Sequence, residues 1–195
     1  TMVQFPYEMY YRIIGNANIG IANIDKAVGP AADRNTLKGE ALALRAFWYF
    51  NLVLLYGKRY VARAKPNSQL GVPLVLEPTT VGKARNTVEE VYTQINKDLA
   101  DAAALLTSAR LNKSHINLSV VKGLQARVAL VQQDWANAAK FAADFPNQAN
   151  PIPTGENWSF LQSRNGDTVV VYGFEVAFQR QFDFLPGKIR KGFCI

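Results

Sequence analysis

Between Leu37 and Gly57 the alternation of polar and apolar residues that marks a surface helix breaks down. From Ala41 to Tyr56, a run of 16 residues, only Arg45 and Asn51 are strongly polar, so a helix here is apolar nearly all round. Such a helix has to be covered on several sides, by neighbouring helices or by lipid. The run contains an arginine and falls short of the ~20 apolar residues a bilayer requires. The pattern therefore predicts the central helix of a helical stack, opened by Asn35 or Thr36 as cap and closed at Gly57.

Helical spacing recurs on both sides of it. Tyr10, Ile13, Ile14, Ala17, Ile21, Ile24 and Val28 predict a helix over residues 7–28 that Gly29-Pro30 ends, with Gly15 and Gly20 allowing close approach to a neighbour. Residues 58–86 read as a long connection, with turn chemistry at Lys65-Pro66-Asn67-Ser68 and a short extended stretch at Gly71-Val72-Pro73-Leu74-Val75. Loops of this length inside a compact domain are usually functional or disordered. Thr87-Val88-Glu89-Glu90 is a capping box, and Val91, Ile95, Leu99, Ala102 and Leu106 line one face of the helix it opens. Asn117 or Ser119 starts another helix, and Asp134 caps a third from Trp135 to Ala143. The last two form a hairpin of the tetratricopeptide kind, in which Trp135 is expected to pack. After Pro146 the chain turns irregular, with one strand expected at Thr168–Tyr172 and an aromatic-rich tail without clear period. One strand alone cannot make a stable sheet, so this segment is expected to be incomplete.

Composition narrows the class of function. A chain of 195 residues with 49% hydrophobic and 19% charged residues describes a globular protein. Its net charge of +7 suits an acidic partner, but the basic residues are scattered, without the dense aromatic-interleaved run of a nucleic-acid footprint. The lone Cys194 excludes a disulfide framework, and the single His115 reads as a loop or capping residue. Neither a metal nor a cofactor is expected, and no Gly-rich phosphate loop, catalytic triad or carboxylate pair singles itself out. Thr1-Met2-Val3-Gln4 has no signal-peptide character, which reads as a cytoplasmic chain or one trimmed of its leader.

Four stretches, in order, resemble the SusD/RagB family, the outer-membrane nutrient-binding lipoproteins of Bacteroidetes. They are Tyr11–Asn18; Gly39-Glu40-Ala41 with Leu44–Phe50 and Leu55-Tyr56-Gly57; Gly71–Val75 followed by Arg85–Tyr92 and Asp98-Leu99; and Gly123–Leu130 with Asp134-Trp135 and Ala138-Ala139. The resemblance covers residues 5 to about 145 and is that of an amino-terminal portion, since complete members are far longer. It implies an all-α fold, a tetratricopeptide-like superhelix of helical pairs with long loops, over residues 1–146. Residues 147–195 would begin a ligand-binding subdomain. The implied activity is non-catalytic capture of oligosaccharides or related nutrients and their delivery to a TonB-dependent, SusC-like outer-membrane transporter. The resemblance also implies a lipid anchor, although the chain has no cysteine near Thr1 to carry one. The alternative is a generic tetratricopeptide-like protein-interaction scaffold.

Two sets of residues follow from this reading. Glu40 and Arg45 form the structural polar pair of the central helix, because charges in an apolar setting must be paired and hydrogen-bonded. Trp48, Tyr49 and Phe50 are expected to pack. Glycan recognition wants aromatic faces flanked by planar polar groups, which selects Tyr60, Asn67, Asn157, Trp158 and Arg164 among the loop residues, with Trp158 foremost.

Overall fold

The computed structural model describes residues 4–144, which fall in one compact unit. Five α-helices account for its architecture: α1 (Gln4–Asn23), α2 (Ala31–Tyr56), α3 (Val88–Leu105), α4 (Leu118–Val131) and α5 (Trp135–Ala143). Each helix packs chiefly against its neighbours in sequence, α2 lying between α1 and α3, α3 meeting α4, and α4 pairing with α5. This is the all-α, tetratricopeptide-like arrangement in which successive helices bury a continuous core. The strand expected at 168–172 and the boundary expected at 146 lie outside the described residues.

Local chemistry sets most of the helix ends. Thr87 caps α3 by accepting from the Glu90 amide, while the Glu90 carboxylate accepts from the Thr87 amide, completing the capping box. Asn117 caps α4 and Asp134 caps α5 in the same way. Between α4 and α5 the turn closes through Gln133 at φ 59, with the Asp134 amide donating to the Ala129 carbonyl.

Two helix ends depart from expectation. α1 stops at Asn23 and a short 3-10 turn, Ile24–Lys26, follows it. α2 opens at Ala31, four or five residues before the expected caps Asn35 and Thr36. Pro30 has the fixed φ suited to a helix start, Asp33 lies favourably in the first turn, and Arg34 donates to the Gly29 carbonyl (2.6 Å). The far end is as expected: Gly57 closes α2, and a Cβ there would stand 2.6 Å from the Val53 carbonyl oxygen. Gly39 is required for a different reason. A Cβ on it would come within 2.7 Å of the Leu106 side chain, so α2 crosses the end of α3 at a distance only glycine permits. A Cβ on Gly20 would make only ordinary contact with Ala41 at 4.0 Å and one on Gly15 would meet open space, so the close approach expected at these two glycines of α1 is not required by the packing.

Buried side chains of α2, α3 and their neighbours form one core, in which Tyr49, Leu52, Val53, Tyr92, Ile95 and Leu99 are almost fully enclosed. Tyr49 and Phe50 are buried as expected, and the half-buried Trp48 packs its ring 4.7 Å from that of Tyr10. Two expectations need correction. α2 is not covered all round by the described residues: Leu37, Leu44, Leu54 and Leu55 remain exposed because only two helices flank it closely. Trp135 is 66% exposed rather than packed, since among the described residues α5 has only α4 against it.

At the centre lies Arg45. Its guanidinium donates to both carboxylate oxygens of Asp98 on α3 (2.7 Å each) and to Asn18 on α1 (3.0 Å), with Arg45 and Asp98 both buried. Glu40, expected to pair with Arg45, instead meets Nδ1 of His115 (2.9 Å), tying α2 to the loop after α3. The two residues are successive links from α2 to different elements. Asp98→Ala would leave the guanidinium buried without its counter-charge and is expected to cost about 3–5 kcal/mol. The double change Arg45→Met with Asp98→Leu is expected to cost less than Asp98→Ala alone. Urea unfolding of the unaltered protein and the two variants measures this, and a double variant that loses as much stability as Asp98→Ala would refute it.

Candidate functional site

The connection between α2 and α3 could not hold its shape by sheet formation, since it makes only an isolated antiparallel bridge, Leu70 with Thr87. Side chains supply the missing bonds. Asn67, fully buried, accepts from the Val61 amide, and its own amide groups donate to the Glu89 carboxylate (3.0 Å). Those bonds hold the Glu89 carboxyl below its ordinary range, the Asn67 backbone amide contributing most. Arg85 donates to the carbonyls of Gly71 (2.7 Å) and Tyr56 (3.0 Å), so it also satisfies the carboxyl end of α2. Asn86 accepts from the Leu74 amide.

A second set of bonds fixes residues 73–76 against α1 and α2. The Tyr11 hydroxyl donates to the Pro73 carbonyl (2.8 Å) and Asn18 donates to that of Val75 (2.7 Å). The Tyr49 hydroxyl donates to the Val75 carbonyl and accepts from its amide, at 2.8 and 2.7 Å. Arg45 reaches the Leu76 carbonyl at 3.4 Å. The polar cluster that joins the helices thus also secures the connection.

Beyond these bonds the connection arches away from α1 and leaves a groove between them. Its larger part, about 480 Å³, is lined by Tyr7, Glu8, Tyr11 and Arg12 of α1 and by Pro73, Val75, Val81, Gly82 and Lys83. A smaller part, about 200 Å³, continues past Tyr11 to Gly15 and the Glu77–Thr80 segment, sharing Val75, Val81 and Gly82. From Tyr7 to Gly15 it follows α1 for about 12 Å. The Tyr7 and Tyr11 rings stand 4.8 Å apart, and Tyr7 also meets Tyr56 edge-on at 5.1 Å. Among the described residues no group of three or more His, Cys, Asp or Glu stands close enough to hold a metal ion.

The residues selected from sequence for glycan contact fall elsewhere. Tyr60 is buried with its ring 5.0 Å from that of Tyr92, and Asn67 is the structural hub described above, so neither offers a face to solvent. Both sit in a loop by sequence, but Tyr60 serves the core and Asn67 replaces missing backbone partners. Asn157, Trp158 and Arg164 lie outside the described residues. The groove residues do not stand out along the chain because they come from two segments some sixty positions apart. The available signal was the spacing of Tyr7, Glu8, Tyr11 and Arg12, which puts two rings and two charges on adjoining positions of one helix face.

The fold defines the chain as a helical-pair scaffold, and comparison with known proteins gives its family. Residues 2–130 match a SusD-like family described as starch-binding and associating with the outer membrane. The chain belongs to this SusD-like family. It is similar to a SusD-like carbohydrate-binding protein of Bacteroides vulgatus, with 32% identity and a TM-score of 0.67 over 73% of this chain and 31% of that one. A SusD superfamily protein of Bacteroides thetaiotaomicron shares 28% identity at a TM-score of 0.67, over 73% and 32% of the two chains. A laminarin-binding SusD-like protein shares 25% identity at a TM-score of 0.59, over 73% and 29%. The chain thus spans about a third of the length of these structures. No curated protein sequence matches it. Among the described residues no helix is long and apolar enough to cross a membrane.

The buried tyrosines make the fold sensitive to alkali. Burial pushes the Tyr49 and Tyr92 hydroxyls up to about 12, against 10.0 for an ordinary tyrosine, and burial with the neighbouring Tyr7 raises Tyr11 as well. The neutral form is favoured in the fold, so this stability is complete below pH 10 and is lost as the pH rises towards 12. Urea unfolding between pH 9 and 12 is expected to show the loss, at up to about 1.4 kcal/mol per pH unit for each tyrosine. Tyr49→Phe should flatten the profile; an unchanged profile would count against this account.

Proposed function

We propose that this chain is the scaffold portion of a non-catalytic protein that captures oligosaccharides at the bacterial outer-membrane surface. In the whole protein the captured glycan passes to a TonB-dependent transporter of the SusC type, and a lipid anchor holds the assembly at the membrane. The observation that carries the reading is the family match over residues 2–130, to a family described as starch-binding and outer-membrane-associated. The laminarin-binding relative supports a glycan as ligand. The polar clusters of the described residues support binding rather than chemistry: Arg45, Asp98, Glu89 and Asn67 are consumed by one another and by backbone groups. The exposed apolar positions of α2 and α5 are consistent with further protein covering them in the whole molecule.

A glycan array with the purified protein is expected to show retention of oligosaccharides without their hydrolysis. Affinity isolation of the tagged protein from outer membranes should bring down a porin-sized transporter. An array without signal, or isolation of soluble partners alone, would favour a protein-interaction scaffold instead. Release of shortened sugars would point to an enzyme.

A further inference from the structure

The groove between α1 and the 73–83 segment has features a saccharide subsite needs. It is open and shallow, its walls are mainly apolar, and charged groups stand among the residues that line it. Tyr7 and Tyr11 supply ring surface for the C–H faces of a sugar, and the inward bond from Tyr11 to Pro73 fixes that ring against the opposite wall. Two cations approach from separate elements, Arg12 from the helix and Lys83 from the connection, both exposed. Neither belongs to an ion pair among the described residues. The Glu8 carboxylate also lines the groove and accepts from the Gln4 amide at 2.6 Å, which leaves two cations to one anion in this part of the lining.

We propose that this groove is a subsite for a saccharide unit bearing an acidic group, a carboxylate or a sulfate ester, seated on Tyr7 and Tyr11 and met by Arg12 and Lys83. The planar fork of Arg12 suits paired anionic oxygens, and Lys83 adds a mobile point charge. This assignment rests on the carbohydrate-binding reading and narrows it to a ligand class and a place.

The groove allows a test that leaves the fold alone. Arg12 and Lys83 are exposed, so Arg12→Gln with Lys83→Gln removes the charge without touching the core. A Cβ at Gly82 would meet nothing within 4 Å, so Gly82→Phe directs a ring into free space at the groove wall. Calorimetric titrations of the full chain would use oligogalacturonate, a sulfated galactan oligosaccharide and a neutral malto-oligosaccharide of equal length, with thermal melts as folding controls. At least one acidic probe is expected to bind at least tenfold tighter than the neutral one, and more weakly as salt rises. The charge variant should remove that preference, and Gly82→Phe should weaken binding of the preferred probe by at least tenfold. Equal affinity for acidic and neutral probes would overturn the proposal, as would acidic binding unchanged in both variants. Neutral binding unaffected by Gly82→Phe would place glycan capture elsewhere while leaving the carbohydrate reading intact. No binding of any oligosaccharide by the wild-type chain would refute both.

Discussion

A guanidinium buried in a helical core is the constraint around which the rest of this structure is arranged. Arg45 sits midway along the helix that buries the most residues among those described, where an unpaired charge would be prohibitive. Both oxygens of Asp98, the side-chain oxygen of Asn18 and the carbonyl of Leu76 surround it, so it draws on α3, α1 and the connection together. Asp98 is further held by an amide from Gln94. An ion pair of this kind contributes little net stability compared with a well-packed apolar alternative, because desolvation offsets most of the attraction. What it contributes here is register. With Arg45 fixed against Asp98, the crossing of α2 over α3 is fixed too, and Gly39 meets Leu106 at a distance that tolerates no side chain.

The same cluster determines how an irregular segment of about thirty residues keeps a defined course. Its backbone makes few bonds with itself, so buried polar side chains must serve it. Asn18 belongs to both tasks, accepting from Arg45 and donating to Val75. Tyr49 bonds both the amide and the carbonyl of Val75, and its burial, which outweighs the opposing effect of the Val75 bond, accounts for its reluctance to ionise. Lower down, Asn67, Arg85 and Asn86 perform equivalent work at the α2 and α3 ends. Polar residues of this connection that look available for ligand in the sequence are thus largely occupied by the fold.

This explains which features could be read from the sequence. Caps at Thr87, Asn117 and Asp134 were legible because cap chemistry is complete within four residues. The centrality of α2 was legible from its composition, and its glycine close from sterics confined to one turn. Asp98 as the partner of Arg45 was not, since 53 positions separate them and nothing local marks the aspartate. Glu40 and Arg45 group together in the sequence as the polar residues of an apolar helix, and both do hold it to its neighbours, but Glu40 meets His115 rather than Arg45. Tyr60 and Asn67 show the opposite error: a loop position in sequence gives exposure no guarantee once the loop is folded onto the core. Trp135 is expected to pack because an aromatic on a covered helix packs, whereas α5 has a single neighbour among the described residues.

The groove follows from the same division of labour. On α1, Ile14 and Asn18 turn inward and are buried, while Glu8 and Arg12 face out. On the connection, Pro73, Val75 and Leu76 are tied down through their backbone carbonyls, with the Leu76 side chain packed on the core, while residues 77–83 are exposed. Backbone anchoring is indifferent to the side chain that rides on it, whereas the anchoring groups Asn18, Arg45, Tyr49 and Asp98 tolerate little change. A scaffold built this way can vary the chemistry of its groove without disturbing the bonds that shape it. Tyr11 is the exception, because its hydroxyl holds Pro73 while its ring forms part of the groove. It is therefore the residue through which a change in the groove would be felt by the fold, and the one whose ring is least free to move away from a bound ligand.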